Sequence, residues 1–173
     1  MGAVASNLVS RYVKEPSYRI HIDEDEGVAT FMLFDLSGAV CGYQQYRPAA
    51  GKEKKNHPRE GRYFTYKSEG RIAVFGLETW NWSNELFIVE GIFDCVRIHN
   101  LGLSAIATLS NDPKPLRSWF RAMSRPIMAI CDSGPDGRKL AKYGDRYAIC
   151  STAGDLGDMT EAQVVEIVNG LRQ

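Results

Sequence analysis

No run of apolar residues in this sequence approaches the roughly 18 needed to cross a bilayer, and the opening MGAVASNLVSRYV has no charged segment ahead of a long apolar stretch. A membrane span and a secretory leader are therefore not expected, and the expected setting is soluble and cytoplasmic. Cysteine is sparse: Cys41, Cys95, Cys131 and Cys150 never form the C-x2-4-C pair of a structural zinc site, so no zinc is expected. Cys95, Cys131 and Cys150 sit in apolar strings and read as small buried hydrophobes. His21, His57 and His99 have no ligand spacing, and no G-x4-G-K-[ST] loop exists to carry a P-loop motor. Net charge is also lacking, because 21 Lys and Arg balance 21 Asp and Glu. No overall field draws the chain to a polyanion, and any such attraction must be local.

What the 173 residues do contain is ordinary globular composition, 44% hydrophobic and 24% charged, enough for one domain with a small flanking lobe. The first part, 1–84, is expected to be a β-rich basic lobe. Short alternating segments, YRIHID, VATFMLFD, AVCGYQQY and RYFTYK, are broken by turn formers such as Ser37-Gly38 and Gly61, the pattern of antiparallel strands. Between Arg47 and Arg71, Lys52, Lys54, Lys55, Arg59, Arg62 and Lys67 outnumber Glu53, Glu60 and Glu69, and Tyr43, Tyr46, Tyr63, Phe64 and Tyr66 lie among them. Cations that track phosphates and rings that stack on bases suit a single-stranded nucleic acid. A solvated hairpin loop accounts for GKEKKNHPREG equally well.

From 85 to 173 the pattern becomes strand, turn, helix, repeated. LFIV, AIATL, IMAIC and YAICS are short continuous apolar runs, and between them lie helical patterns: a helix after Glu90-Gly91, another over 115–124 and a short one over 136–142. A closing helix over 160–171 opens on a Thr160/Gln163 capping box. Such an alternation predicts a parallel sheet with helices on both faces. The acids fall at strand ends: Glu90 follows LFIV, Asp132 follows IMAIC, and Asp155 and Asp158 lie after YAICS. Ligands of open parallel sheets bind beyond those ends. Carboxylates gathered there repel one another unless a hard cation sits between them, which points to Mg2+ (or Mn2+) held with water and phosphate, and to phosphoryl transfer. The plainer role is capping of the following helices, and for Asp94 a structural role is at least as good. Arg117, Arg121 and Arg125 recur every four residues and either line a phosphate path or face solvent. Trp80 and Trp82 are expected to pack the joint between the two parts.

The string LFIVEGIFDCVRIHNLG, followed by IMAICDSGPDGRKLA, resembles the Toprim domain, whose marks are a Glu after its first strand and a D-x-D after its third. Upstream, FMLFDLSGAVCGYQQYR and RYFTYKSEGRIAVFGLETW are similar to the segment preceding Toprim in bacterial replicative primases and bacteriophage primase/helicase proteins. The resemblance, over roughly residues 30 to 160, implies the RNA polymerase (catalytic) domain of a DNA primase: metal-dependent nucleotidyl transfer making RNA primers on a single-stranded DNA template from nucleoside triphosphates. It implies catalysis by Glu90 and Asp132, and metal binding by Glu90, Asp132, Asp136, Asp155 and Asp158. Nucleic-acid or nucleotide binding falls to Arg47, Lys54, Lys55, Arg59, Arg62, Arg138 and Lys139. One departure stands out: with Gly137 aligned to the family glycine, Gly134 occupies the place of the second D-x-D aspartate, and the next acid is Asp136. The zinc-ribbon cysteines and the helicase motor of such proteins are missing from this sequence, so a helicase or a zinc-binding subunit is the expected partner. A Toprim nuclease cutting DNA or RNA, or a noncatalytic module binding single strands in replication, are the competing readings.

Overall fold

The alternation of apolar and polar residues between Ile20 and Lys67 closes into an antiparallel meander in chain order: β1 (Ile20–Asp23), β2 (Val28–Phe34), β3 (Val40–Tyr46) and β4 (Tyr63–Lys67). The computed structural model describes residues 1–14, 18–51, 57–81, 83–150 and 154–173, in two compact units, Met1–Ala73 and Val74–Gln173. In the first, Ala29, Phe31 and Leu33 are buried while Thr30 and Met32 are half-exposed, the two-residue period of a sheet with one covered face. The cover includes α1 (Ala3–Ser10), whose Val4 and Leu8 are buried and whose Asn7 Oδ1 accepts the Tyr46 hydroxyl at 3.0 Å. This helix is not evident from sequence, since no side chain of its own caps it. Glu24, in the turn after β1, accepts the Val4 and Ala5 backbone N–H groups at 3.0 and 2.9 Å.

The second unit is built on β5 (Leu86–Val89), β6 (Ala105–Ala107), β7 (Ile127–Cys131) and β8 (Arg146–Ile149), all parallel, in the order β6-β5-β7-β8. Continuous apolar runs make central strands because both faces are covered; Leu86, Phe87 and Ile88 have no exposed surface. Helix α2 (Ile92–His99) packs on β5 and β6, and α4 (Glu161–Arg172) packs on β8 and touches α2. The capping box of α4 is present, with the Gln163 N–H donating to Thr160 Oγ1 and the Thr160 N–H to Gln163 Oε1. The chain steps from β5 outward to β6, then back past β5 to β7. With right-handed crossovers this reversal sends α3 (Arg117–Ala122) and the 3-10 turn Gly137–Tyr143 to the face opposite α2. The T-shaped contact between Phe120 and Tyr143, 5.9 Å between ring centres, ties those two together.

Several expectations are corrected in detail. Residues 74–84 belong with the second unit rather than with the lobe of 1–84, because Phe75 exchanges backbone hydrogen bonds with Ala107, and the Asn81 N–H donates to Ser104 Oγ. Trp80 packs edge-on to Trp119 at 6.1 Å within that unit, and Trp82 lies outside the described residues. The AIATL strand stops at Ala107, since Leu109 turns into the left-handed region at φ 56°. The helix expected over 115–124 is a 3-10 turn, Lys114–Leu116, followed by the short α3, and that over 136–142 is 3-10 throughout. His99 is structural: its ring bonds Thr79 Oγ1 and the Ala105 carbonyl, and burial lowers its pKa to about 4. All four cysteines are buried and free.

Ile88→Ala removes a fully buried side chain from the centre of the second sheet. It is expected to cost about 2–5 kcal/mol in denaturant unfolding with the m-value unchanged.

Candidate active site

The reversal of direction between β5 and β7 is a topological switch point, and the crevice beyond the carboxyl ends of those two neighbouring strands is where an open parallel sheet binds ligands. Glu90 is the residue after β5 and Asp132 the residue after β7. Both are half-buried. Burial raises the Glu90 pKa, and the charge of Asp136 raises it further. Asp132 is pushed from the ordinary 3.8 to about 6, by burial first and then by repulsion from Glu90 and Asp155. Neither carboxylate accepts a hydrogen bond or ion pair from a described residue, so within that set nothing of opposite charge offsets the repulsion.

The E-G-x-x-D string acquires a physical meaning here. Asp94, one turn into α2, is buried and accepts the Gly91 N–H at 3.1 Å and the Gly157 N–H at 2.7 Å. One carboxylate thus fixes the Glu90-Gly91 turn and anchors the acidic loop after β8 to the same helix. A Cβ at Gly91 would sit 2.7 Å from Asp94 Oδ2, so any side chain there would displace this carboxylate. Burial raises the Asp94 pKa well above the usual range, with Asp155 and Asp132 adding to it. Arg97, a turn further along and also buried, donates from Nη2 to the Met159 carbonyl at 2.7 Å and clamps the far side of that loop. Arg97 is a positioning residue that sequence reasoning missed; as an Arg in an otherwise apolar helical stretch it carried a signal. Beneath Glu90, its carbonyl accepts the N–H of Leu109, the residue with positive φ, and the Thr108 N–H donates to the Val89 carbonyl.

The remaining expected residues divide. Asp155 is half-buried; it caps its own 3-10 turn by accepting the Asp158 N–H at 3.1 Å, and its charge reaches Asp94 and Asp132. Asp158 is exposed. Asp136 is 80% exposed and ion-paired with Lys139 at 2.7 Å, which lowers its pKa, while its charge still reaches Glu90. Arg138 is exposed beside them. Asp145 stands apart from these acids: it accepts the Ile127 N–H at 2.8 Å at the other end of β7. In the first unit, Arg47 is half-buried, with Nη1 3.5 Å from Gln45 Oε1, and Arg62 Nε donates to the Ala50 carbonyl at 2.8 Å. Arg59 lies 5.4 Å over the Phe64 ring, and Tyr43 stacks on Tyr66 at 5.3 Å. Lys54 and Lys55 lie outside the described residues. Among the described residues, no three His, Cys, Asp or Glu side chains are gathered into a ready-made metal cage. The donors that do converge are hard carboxylate oxygens in mutual repulsion, which fits Mg2+, an ion commonly held by one or two carboxylates with water and phosphate completing the shell.

The sequence matches no protein-family model, and no curated protein matches it. Among solved structures the fold is that of DnaG primase catalytic cores. One, described as the DnaG catalytic core, is 16% identical, with 96% of this chain aligned to 73% of that one at a TM-score of 0.68. A DnaG primase catalytic domain bound to single-stranded DNA aligns over 95% of this chain and 64% of its own length, at 17% identity and TM-score 0.55. The primase fragment of the bacteriophage T7 primase-helicase aligns over 84% and 62%, at 14% and 0.59. This chain therefore spans between about three fifths and three quarters of those structures.

A raised carboxylate pKa in the folded state means that the native protein binds more protons than the unfolded chain between pH 3.8 and about 6. Stability contributed by Asp132 therefore falls as pH rises through that window and stays lowered above it. Asp132→Asn removes the loss, and is expected to stabilise the protein at pH 7 by on the order of 1 kcal/mol after solvent screening, with little effect near pH 4. Urea unfolding at the two pH values measures it.

Proposed function

We propose that the chain is a nucleotidyltransferase of primase type, making RNA primers on a single-stranded DNA template in replication. The observation that carries the reading is the pair of uncompensated carboxylates, Glu90 and Asp132, at the switch point of a sheet with the primase-core fold. Supporting it, the first unit holds Arg47, Arg59 and Arg62 among half-exposed and exposed rings, a surface suited to strand phosphates and bases.

In this reading Glu90 and Asp132 hold Mg2+, with Asp155 adding charge behind them. The ion, when bound, neutralises charge on the triphosphate and lowers the pKa of an attacking 3'-hydroxyl. Glu90 would accept the proton that hydroxyl gives up as its oxygen bonds the α-phosphorus, while the bond to the β-phosphate breaks and pyrophosphate leaves. Asp94 and Arg97 keep the two carboxylate-bearing loops in register, so their part is positioning. The exposed Arg138 and Lys139, beside the acids, meet the nucleotide phosphates. A nuclease using water as the nucleophile would draw on the same residues. A helicase or a zinc-binding subunit would supply the motor and template choice that this sequence does not encode.

The test is a denaturing gel of single-stranded DNA incubated with protein, labelled nucleoside triphosphates and Mg2+ or Mn2+. Short labelled oligonucleotides are expected with the native chain, and at least a hundredfold less with Glu90→Gln. Shortened DNA without nucleotide would replace this reading with a nuclease, and unaltered strands that nevertheless bind would leave a noncatalytic module. In the binding assay, Arg47→Ala with Arg59→Ala is expected to flatten the slope of log affinity against log salt by about one to two units.

A further inference from the structure

At the end of the second sheet opposite Glu90 and Asp132, where β7 and β8 begin, lies an open cleft of about 350 Å3. Four of its lining side chains are cationic, Arg117, Arg121, Arg125 and Lys142. Its acid, Asp145, is already committed to the Ile127 N–H. Two of the cations are placed by neighbours: Arg125 lies 4.8 Å over the Trp80 ring, and Lys142 Nζ is 2.7 Å from Asp112 Oδ1. The other two are not. Arg117 and Arg121, one turn apart on α3, are exposed and make no hydrogen bond or ion pair with a described residue. Phe120 and Tyr143 form the apolar floor between them. In a chain whose net charge is zero, such a concentration of positive charge around a concavity is a local construction.

We propose that this cleft binds a run of two or three phosphates, as in a nucleoside polyphosphate or an inorganic polyphosphate, at a site separate from the carboxylates. Guanidinium forks match phosphate oxygens in pairs, and two unpaired forks above a floor already flanked by Lys142 and Arg125 give a compact polyanion more contacts than a flat surface would. The volume lies at the small end of ligand pockets, adequate for a phosphate chain and tight for a whole nucleotide. The two ends of the sheet also differ in what a phosphate needs from them. At the carboxylate end a phosphate requires a metal ion to bridge like charges, whereas here the protein supplies the counter-charge itself, so binding is independent of divalent metal.

Isothermal titration of the whole chain with sodium tripolyphosphate in EDTA tests this, because the chelator silences the carboxylate end. Saturable, salt-sensitive binding is expected, retained in Glu90→Gln/Asp132→Asn and weakened at least tenfold in Arg117→Ala/Arg121→Ala. The Arg117→Lys/Arg121→Lys protein should fall between, since lysine keeps the charge and loses the fork. ATP binding as tightly as tripolyphosphate identifies the phosphate chain as the recognised part. Binding of an oligothymidylate without binding of tripolyphosphate overturns the proposal in favour of a strand path. Absence of saturable binding, or affinity unchanged in the double alanine protein, also overturns it. Because no step uses the carboxylates, these outcomes stand whether or not primer synthesis is observed.

Discussion

Like charges held close together at the end of a parallel sheet set the terms for the second unit. Burial and the charges of Asp155 and Asp132 raise the cost of ionising Asp94, burial and the charges of Glu90 and Asp155 raise that of Asp132, and Glu90 carries a similar burden from burial and from Asp136. Left to themselves, loops bearing such groups would splay into water. What opposes this is backbone: two N–H groups converge on Asp94, and Arg97 grips the Met159 carbonyl, so the loop carrying Asp155 is tied to α2 at two points. The folded state therefore stores an electrostatic penalty in a place where a cation would relieve it. Perturbed carboxylates assembled by dedicated hydrogen bonds in a crevice are a stronger indication of function than acids at strand ends alone.

The same sheet shows what an acid at a strand terminus does when it has a structural task. Asp145 lies before β8, as Glu90 lies after β5, but at the opposite end, and its carboxylate satisfies the first N–H of β7. Asp112 likewise is engaged, accepting the Tyr143 hydroxyl and pairing with Lys142, and its pKa drops to about 2 in consequence. Asp112, with its partners, moves down, whereas Glu90 and Asp132, without any among the described residues, move up. Parallel strands put every C-terminal loop on one side and every N-terminal loop on the other, which is why Asp145 and the pair Glu90 and Asp132 lie at opposite ends of the sheet.

Local patterns carried most of the fold into the sequence. β5 and β7 announce themselves as uninterrupted apolar strings, the first sheet as alternation, and α4 by its Thr160/Gln163 cap. The placement of Glu90 and Asp132 is legible because adjacency to a strand end is a local property. Features that depend on a distant partner were not legible. Helix α1 takes its cap from Glu24, across the first unit, and Ala73 to Val74 becomes a boundary through the pairing of Phe75 with Ala107. The end of β6 was misjudged because Leu109, an ordinary strand residue by type, adopts a left-handed backbone where its N–H meets the Glu90 carbonyl. Asp94 was seen as structural, but its second bond, to Gly157, needs the sheet to bring residues 63 apart into contact.

The displaced aspartate is the point at which sequence and geometry meet. Gly134 stands where the resemblance places the second acid, and its φ of 105° is a backbone state that an aspartate would adopt only under strain. The loop then folds back until Gly137 lies against the carbonyl of Asp132, with no room for a Cβ. An acid at 134 would thus require another path for the whole turn, so the substitution and the path belong together. Asp136 occupies the outer side of this turn, solvated and paired with Lys139. An exposed pair of this kind holds its partners weakly, while Glu90, which already feels the charge of Asp136, has no cation of its own among the described residues. A divalent ion arriving between Glu90 and Asp132 would compete for Asp136 against a single lysine. Releasing Lys139 in that exchange would free an ammonium beside Arg138, where the proposed function places the nucleotide phosphates.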